Sequence, residues 1–140
     1  MPDILMRLVE ALGLALGGWL IVRLASIAVL ARAGQAAPRA QETLFQAGRP
    51  AVLYFTTPDC VTCKVFQRPQ LRRLESMLGD GIQVVEIDAQ AQPELASQWG
   101  VLSVPTTFVL DASGKPRHVN HGGVEAEKLA AQIAAAGEKP

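Results

Sequence analysis

Cys60-Val61-Thr62-Cys63 contains the only two cysteines of a 140-residue chain. Cysteines three apart at the start of a helix share one face and can bridge with small motion. A thiol at a helix N-terminus lies against free backbone N–H groups and the positive end of the dipole, which favour its thiolate. The thiolate attacks disulfides through a mixed-disulfide intermediate. Cys60 is therefore the candidate nucleophile. Cys63, one turn further in and more buried, is placed to resolve the intermediate. Two cysteines are too few for a multi-bridge scaffold or for a four-cysteine zinc site. His118 and His121 invite a Cys2His2 reading, but 54 residues separate Cys63 from His118, which fits no compact zinc finger. No metal and no cofactor is expected beyond the redox-active disulfide itself.

The elements around the pair follow from pattern. Ala51–Thr56 is an apolar run of strand length, and it leads directly into the cysteine motif. Cys60–Leu78 has helical periodicity through Val65, Phe66, Leu71, Leu74 and Leu78, with Pro69 predicting a kink. Ile82–Asp88 reads as a second strand, Pro93–Trp99 as a short helix, and Val104–Leu110 as a third strand. A turn at Asp111–Gly114 enters a fourth strand, Lys115–Asn120, and Gly122-Gly123 precede a last helix, Glu125–Ala136. This order predicts an α/β fold, with a central mixed sheet flanked by helices and a hairpin as its last strand pair.

Charge and hydropathy divide the chain. Thirteen basic and thirteen acidic residues cancel, which argues against a nucleic-acid binder relying on bulk positive charge. Up to Gln41 there are four basic and two acidic residues; the remainder has nine basic and eleven acidic. From Ala11 to Ala31, 16 of 21 residues are apolar and three are glycine. That length suffices for a single membrane-spanning helix. Arg23 is costly at a span's centre, but sliding the span to Ile4–Val22 puts it at the end, where its stem can snorkel. A cleaved signal peptide, with Ala31-Arg32-Ala33 as its cleavage site, and a helix lying on a surface are the other readings. The expected organisation is a hydrophobic transmembrane helix over 1–33, a linker over 34–40 and a globular domain over 41–140, with a short helix at Gln41–Ala47. Arg32, Arg39 and Arg49 follow the span while Arg7 alone precedes it, so the positive-inside rule leans toward a cytoplasmic domain. An extracytoplasmic domain is the alternative.

The strand AVLYFTT leading into PDCVTCK, the segment GVLSVPTTFVLD and Gly122-Gly123 before the last helix resemble the thioredoxin superfamily. The resemblance runs from about Gln41 to Ala136. It implies a cis Val104–Pro105 peptide facing the redox pair, and a substrate platform of Val104, Pro105, Thr106, His121 and Gly122. It also implies that the backbone of Val104 offers strand-like hydrogen bonds to a bound peptide. The pattern departs from the family where a buried aspartate and its lysine partner usually lie, since Tyr54 and Val84 take those places. Asp59, Tyr54 and Lys64 are candidate tuning residues. Asp59 is alternatively a helix N-cap. Lys64, Arg68, Arg72 and Arg73 could form a basic face toward an acidic partner or lipid headgroups, or simply a solvated helix face.

The expected function is thiol–disulfide exchange on protein substrates by a membrane-tethered protein, coupled to a redox protein that donates or accepts electrons. A non-catalytic thioredoxin-fold module with a structural or regulatory disulfide is the alternative. A third reading dedicates the enzyme to one task outside the cytoplasm, such as reducing apocytochrome thiols.

Overall fold

In the computed structural model, which describes residues 2–41 and 43–137, the apolar leader and the residues behind it form one helix, α1, Pro2–Gln41. The predicted linker over 34–40 is therefore the end of this helix. Packing explains the difference: Val29, Ala33, Ala36 and Ala37 recur at helical spacing and are buried against the sheet, which outweighs the breaking tendency of Gly34 and Pro38. Residues 3–28 lie outside the domain, with Leu14, Trp19 and Ile21 among many exposed apolar side chains. The helix is long and apolar enough to cross a membrane or to be a signal sequence.

The short helix expected at Gln41–Ala47 does not form over 43–47, where the chain makes turns. The side chain of Gln83 takes both backbone groups of Gln46, accepting from its N–H at 2.8 Å and donating to its carbonyl at 2.7 Å. Those groups thereby have partners outside any helix. Phe45 is turned into the core.

The sheet comprises β1 (Ala51–Thr56), β2 (Gln83–Asp88), β3 (Thr106–Leu110) and β4 (Pro116–His121), in the order β2-β1-β3-β4. β1 is parallel to β2 and antiparallel to β3, and β3–β4 is the expected hairpin. All six residues of β1 are buried, as a central strand covered on both faces requires. Alternation then separates two cores. Ala51, Leu53 and Phe55 face α1 and α3 (Pro93–Gln98), where Phe55, Trp99 and Phe108 pack their rings at 5.1–6.3 Å. Val52 and Tyr54 face α2 (Arg68–Leu78) and α4 (Ala126–Gly137), packing in one cluster with Cys63, Leu71, Leu74 and Leu129.

A kink is expected at Pro69; what the structure shows there is a local change of helix type. The proline has no N–H to give, and its ring would crowd the carbonyl four residues back. The helix accommodates it with a π turn over Cys63–Gln67, in which the Arg68 N–H reaches the Cys63 carbonyl five residues back.

Candidate functional site

β1 ends at Thr56 and delivers the chain, through a turn closed by the Cys60 N–H on the Thr57 carbonyl at 3.2 Å, to the start of the redox helix, the continuous helical stretch over 61–78 that includes the π turn and α2. Cys60 and Cys63 are joined as a disulfide, with Cα atoms 5.2 Å apart. Cys63 is fully buried and Cys60 half-buried. The Cys63 N–H donates to Cys60 Sγ at 3.2 Å. A donor in that position stabilises negative charge on the Cys60 sulfur, the form that attacks disulfides.

The Val104–Pro105 peptide is cis. Val104 packs against both cores and Pro105 is buried. Two hydrogen bonds hold this loop. Thr106 Oγ1 donates to the Ser103 carbonyl at 2.7 Å, and the Gly122 N–H donates to the Pro105 carbonyl at 2.8 Å. Gly122 makes its bond at φ 81°, a left-handed conformation that other residues adopt only at a cost. His121 is exposed and lies opposite Thr106 in the β3–β4 register, beside the loop.

The second glycine of the pair has a steric role. A Cβ on Gly123 would lie 2.7 Å from the ring of Phe66, a residue of the redox helix. Gln67, fully buried, reaches across to the same loop: its Oε1 accepts from the Val124 N–H at 2.9 Å and its Nε2 donates to the Val124 carbonyl at 3.2 Å. Gln70 Oε1 accepts from the Ala126 N–H at 3.0 Å, at the start of α4. The redox helix, the proline loop and the start of α4 are thus held as one unit. The sequence marks Phe66 only as part of the helical apolar face, and it singles out neither Gln67 nor Gln70. A signal was present in Gln67, a polar residue one turn after Cys63 on the buried face.

Of the three candidate tuning residues, the fold brings Tyr54 alone into the packing cluster of the cysteines. Its hydroxyl is buried and has no hydrogen-bond partner among the described residues, and burial raises the phenol above its ordinary pKa. Tyr54 and Val84 line a 230 Å³ cavity with Arg68, Arg72, Glu75 and Glu86. Asp59 and Lys64 are exposed. Asp59 makes no capping hydrogen bond among the described residues, so the N-cap reading fails. The basic face of the redox helix is partly neutralised: Arg68 pairs with Glu86 at 2.6 Å and Arg73 with Glu127. His118 is half-buried, and burial, with Arg117 beside it, lowers its pKa.

A CxxC disulfide follows the central strand, and Val104 of a cis-proline loop packs on the same core as both cysteines; this is the arrangement of a redox protein of the thioredoxin type. Comparison with known proteins agrees. The Thioredoxin family model matches residues 36–135. Chloroplastic thioredoxin Y of Oryza sativa subsp. japonica is 33% identical over 95 residues, 68% of this chain and 55% of that protein. A thioredoxin-like protein of Synechocystis sp. is 34% identical over 92 residues, 66% of this chain and 86% of its own length. Among solved structures, thioredoxin-2, described as a component of malaria parasite protein secretion machinery, matches with a TM-score of 0.58 at 25% identity, covering 62% of this chain and 82% of that one. StoA from Bacillus subtilis matches in fold, with a TM-score of 0.52 at 20% identity over 62% of this chain and 84% of its own. The matches span about half the length of the rice protein (55%) and of Bacillus subtilis thioredoxin (53%). The chain belongs to the thioredoxin family, and Cys60–Cys63 is its disulfide-forming pair.

Proposed function

We propose that this chain is a membrane-tethered thiol–disulfide oxidoreductase acting on protein substrates. The observation that carries the reading is the asymmetry of the pair. Cys60 is accessible and its sulfur accepts the Cys63 N–H, while Cys63 is buried directly behind it. In the reducing direction, the Cys60 thiolate attacks a substrate disulfide, forming a mixed disulfide and releasing one substrate thiolate, which takes a proton. The Cys63 thiolate then attacks the Cys60 sulfur and releases the second substrate thiolate. Two electrons and two protons pass to the substrate, and the pair becomes the Cys60–Cys63 disulfide. A dithiol redox protein must return those electrons. In the oxidising direction every step runs backward.

Substrate binding falls to Val104, Pro105, Thr106, His121 and Gly122. The backbone N–H and C=O of Val104 have no hydrogen-bond partner among the described residues, which suits an extended peptide pairing there. Tyr54 is the tuning residue best placed to act on Cys63, because the two share a core.

The tether is α1. Its exposed apolar surface from Ile4 to Ile27 has no protein cover among the described residues, and Arg23 lies over the Trp19 ring at 5.7 Å, a pairing suited to a membrane interface. The excess of arginine after the span favours a cytoplasmic domain.

Trapping with Cys63→Ser tests the exchange mechanism. Without its resolving thiol, Cys60 should retain substrates as mixed disulfides in membranes, and Cys60→Ser should capture none. Dithiothreitol-coupled insulin reduction should proceed with the unmutated chain. Absence of turnover would favour the non-catalytic module.

A further inference from the structure

The direction in which α1 leaves the domain bears on what the redox pair can reach. α1 ends at Gln41, and β1 begins at Ala51 and runs toward Cys60. From Gln41 back to Val29 the helix rises about 18 Å, close to the roughly 20 Å spanned by a six-residue strand. Val29 is the first buried residue of the helix. It and Arg32 lie against Gly100, each 3.7 Å from where a Cβ would be. Arg32 also lines a 380 Å³ groove with Thr57, Leu102, Ser103 and Val104. Thr57 precedes the cysteine motif by three residues and Val104 belongs to the cis-proline peptide. The helix therefore emerges at the end of the domain that holds the disulfide, and its apolar part extends beyond that end.

The heights are short. With the span ending at Arg23, the nine residues to Arg32 place the groove about 14 Å from the membrane surface. That gap is smaller than the roughly 30 Å diameter of a small folded domain. An extended chain fits within it. Leu102 on the groove is 94% exposed, and Val61 between the two cysteines is 69% exposed.

We infer that the disulfide site faces the bilayer and acts on cysteines in extended segments immediately outside the transmembrane helices of integral membrane proteins. Arg32 and Leu102 form the membrane-side wall of the groove, and the Val104 backbone pairs with the segment. The inference rests on the proposed tether and exchange activity, and names their substrate class.

The test uses the full chain, reduced and reconstituted in phosphatidylcholine–phosphatidylglycerol vesicles. The substrates are single-span peptides carrying a fluorophore as a mixed disulfide on a cysteine 4 or 20 residues outside the span. Insulin is the soluble comparison. Single-turnover release should be at least tenfold faster from the near cysteine than from the far one, and faster than insulin reduction. In detergent micelles the near and far rates should converge. Inserting a seven-residue helical segment (Glu-Ala-Ala-Ala-Lys-Ala-Ala) between Ala28 and Val29 lifts the domain by about 10 Å with only about 20° of rotation. That variant should lose the near preference while reducing insulin in detergent at the original rate. Equal near and far rates in vesicles, or a preference unchanged by the insertion, would overturn the inference while leaving the proposed function standing. Absence of insulin turnover in detergent, or release of the chain from membranes by alkaline carbonate, would overturn the proposed function and this inference with it.

Discussion

The Gln67 side chain connects the redox helix to the loop before α4, and Gln67→Met measures what that connection contributes. Methionine has similar volume and the same unbranched shape, so the cavity contribution is small. The substitution removes both hydrogen bonds to Val124, at 2.9 and 3.2 Å. Gln67 is 0% exposed and Val124 4%, so water cannot replace the lost partner. Leaving one buried backbone group unsatisfied costs about 1–3 kcal/mol, and here both a donor and an acceptor are left. The expected loss is about 3–4 kcal/mol, a large part of the 5–15 kcal/mol typical of a domain. For a domain of this size each kcal/mol lowers Tm by roughly 4–8 °C. Urea unfolding of the full chain in non-ionic micelles, followed through buried Trp99, measures it. Gln70→Ala is the comparison: it removes one bond, at 3.0 Å, from a half-buried position, and should cost about 1 kcal/mol. A loss for Gln67→Met no greater than that for Gln70→Ala would refute the reasoning.

The remaining predictions concern the acid response and the two cores. Burial alone would raise the Asp111 carboxyl, but hydrogen bonds from Ser113, Arg117 and Lys115 hold it below the ordinary value of 3.8. Its contribution is therefore complete above that value and is lost as pH falls through the lower folded value. Acid titration of stability should show a drop there that Asp111→Asn flattens, while the variant is less stable at neutral pH by about 1–2 kcal/mol. Ala33→Leu places a larger side chain where Ala33 is 0% exposed and should cost about 1–3 kcal/mol by overpacking; exposed Gln35→Ala should lie within about 0.5 kcal/mol of the parent. Tyr54→Phe removes a buried hydroxyl without a partner, so urea unfolding should show no loss of stability.

The redox pair, its helix and the proline loop were legible because their signals are local. A CxxC at the end of an apolar strand and a Val-Pro-Thr segment before another carry their geometry in a few adjacent residues. The strands were placed to within one or two residues of Gln83–Asp88, Thr106–Leu110 and Pro116–His121 for the same reason. What failed depends on contacts distant in sequence. Gly34 to Arg39 reads as a linker until Ala36 and Ala37 are seen buried under the sheet. Residues 43–47 read as helical until Gln83, 37 residues from Gln46, takes that residue's backbone groups. Gln67 and Gln70 act on backbone groups 57 and 56 residues away, and no local pattern encodes those partners.

The same long-range packing bears on the choice between an anchor and a cleaved signal. A cut at Ala31-Arg32-Ala33 would fall inside the docked part of α1. It would detach Val29, which is buried, and Leu30, which packs on the core with Trp99 and Phe108. Burying an aliphatic side chain contributes about 1.5–3 kcal/mol, and Gly100 would lose the helix that covers it. A signal peptide is discarded without cost only where the mature fold does not use it. Here the residues on both sides of the cleavage-like motif belong to one core, because the helix that would cross the membrane is also the helix that covers one face of the sheet. On the proposed tether, anchoring and folding draw on a single uninterrupted element, Pro2–Gln41, and that continuity would hold the disulfide at a fixed height and orientation, which a flexible linker would not.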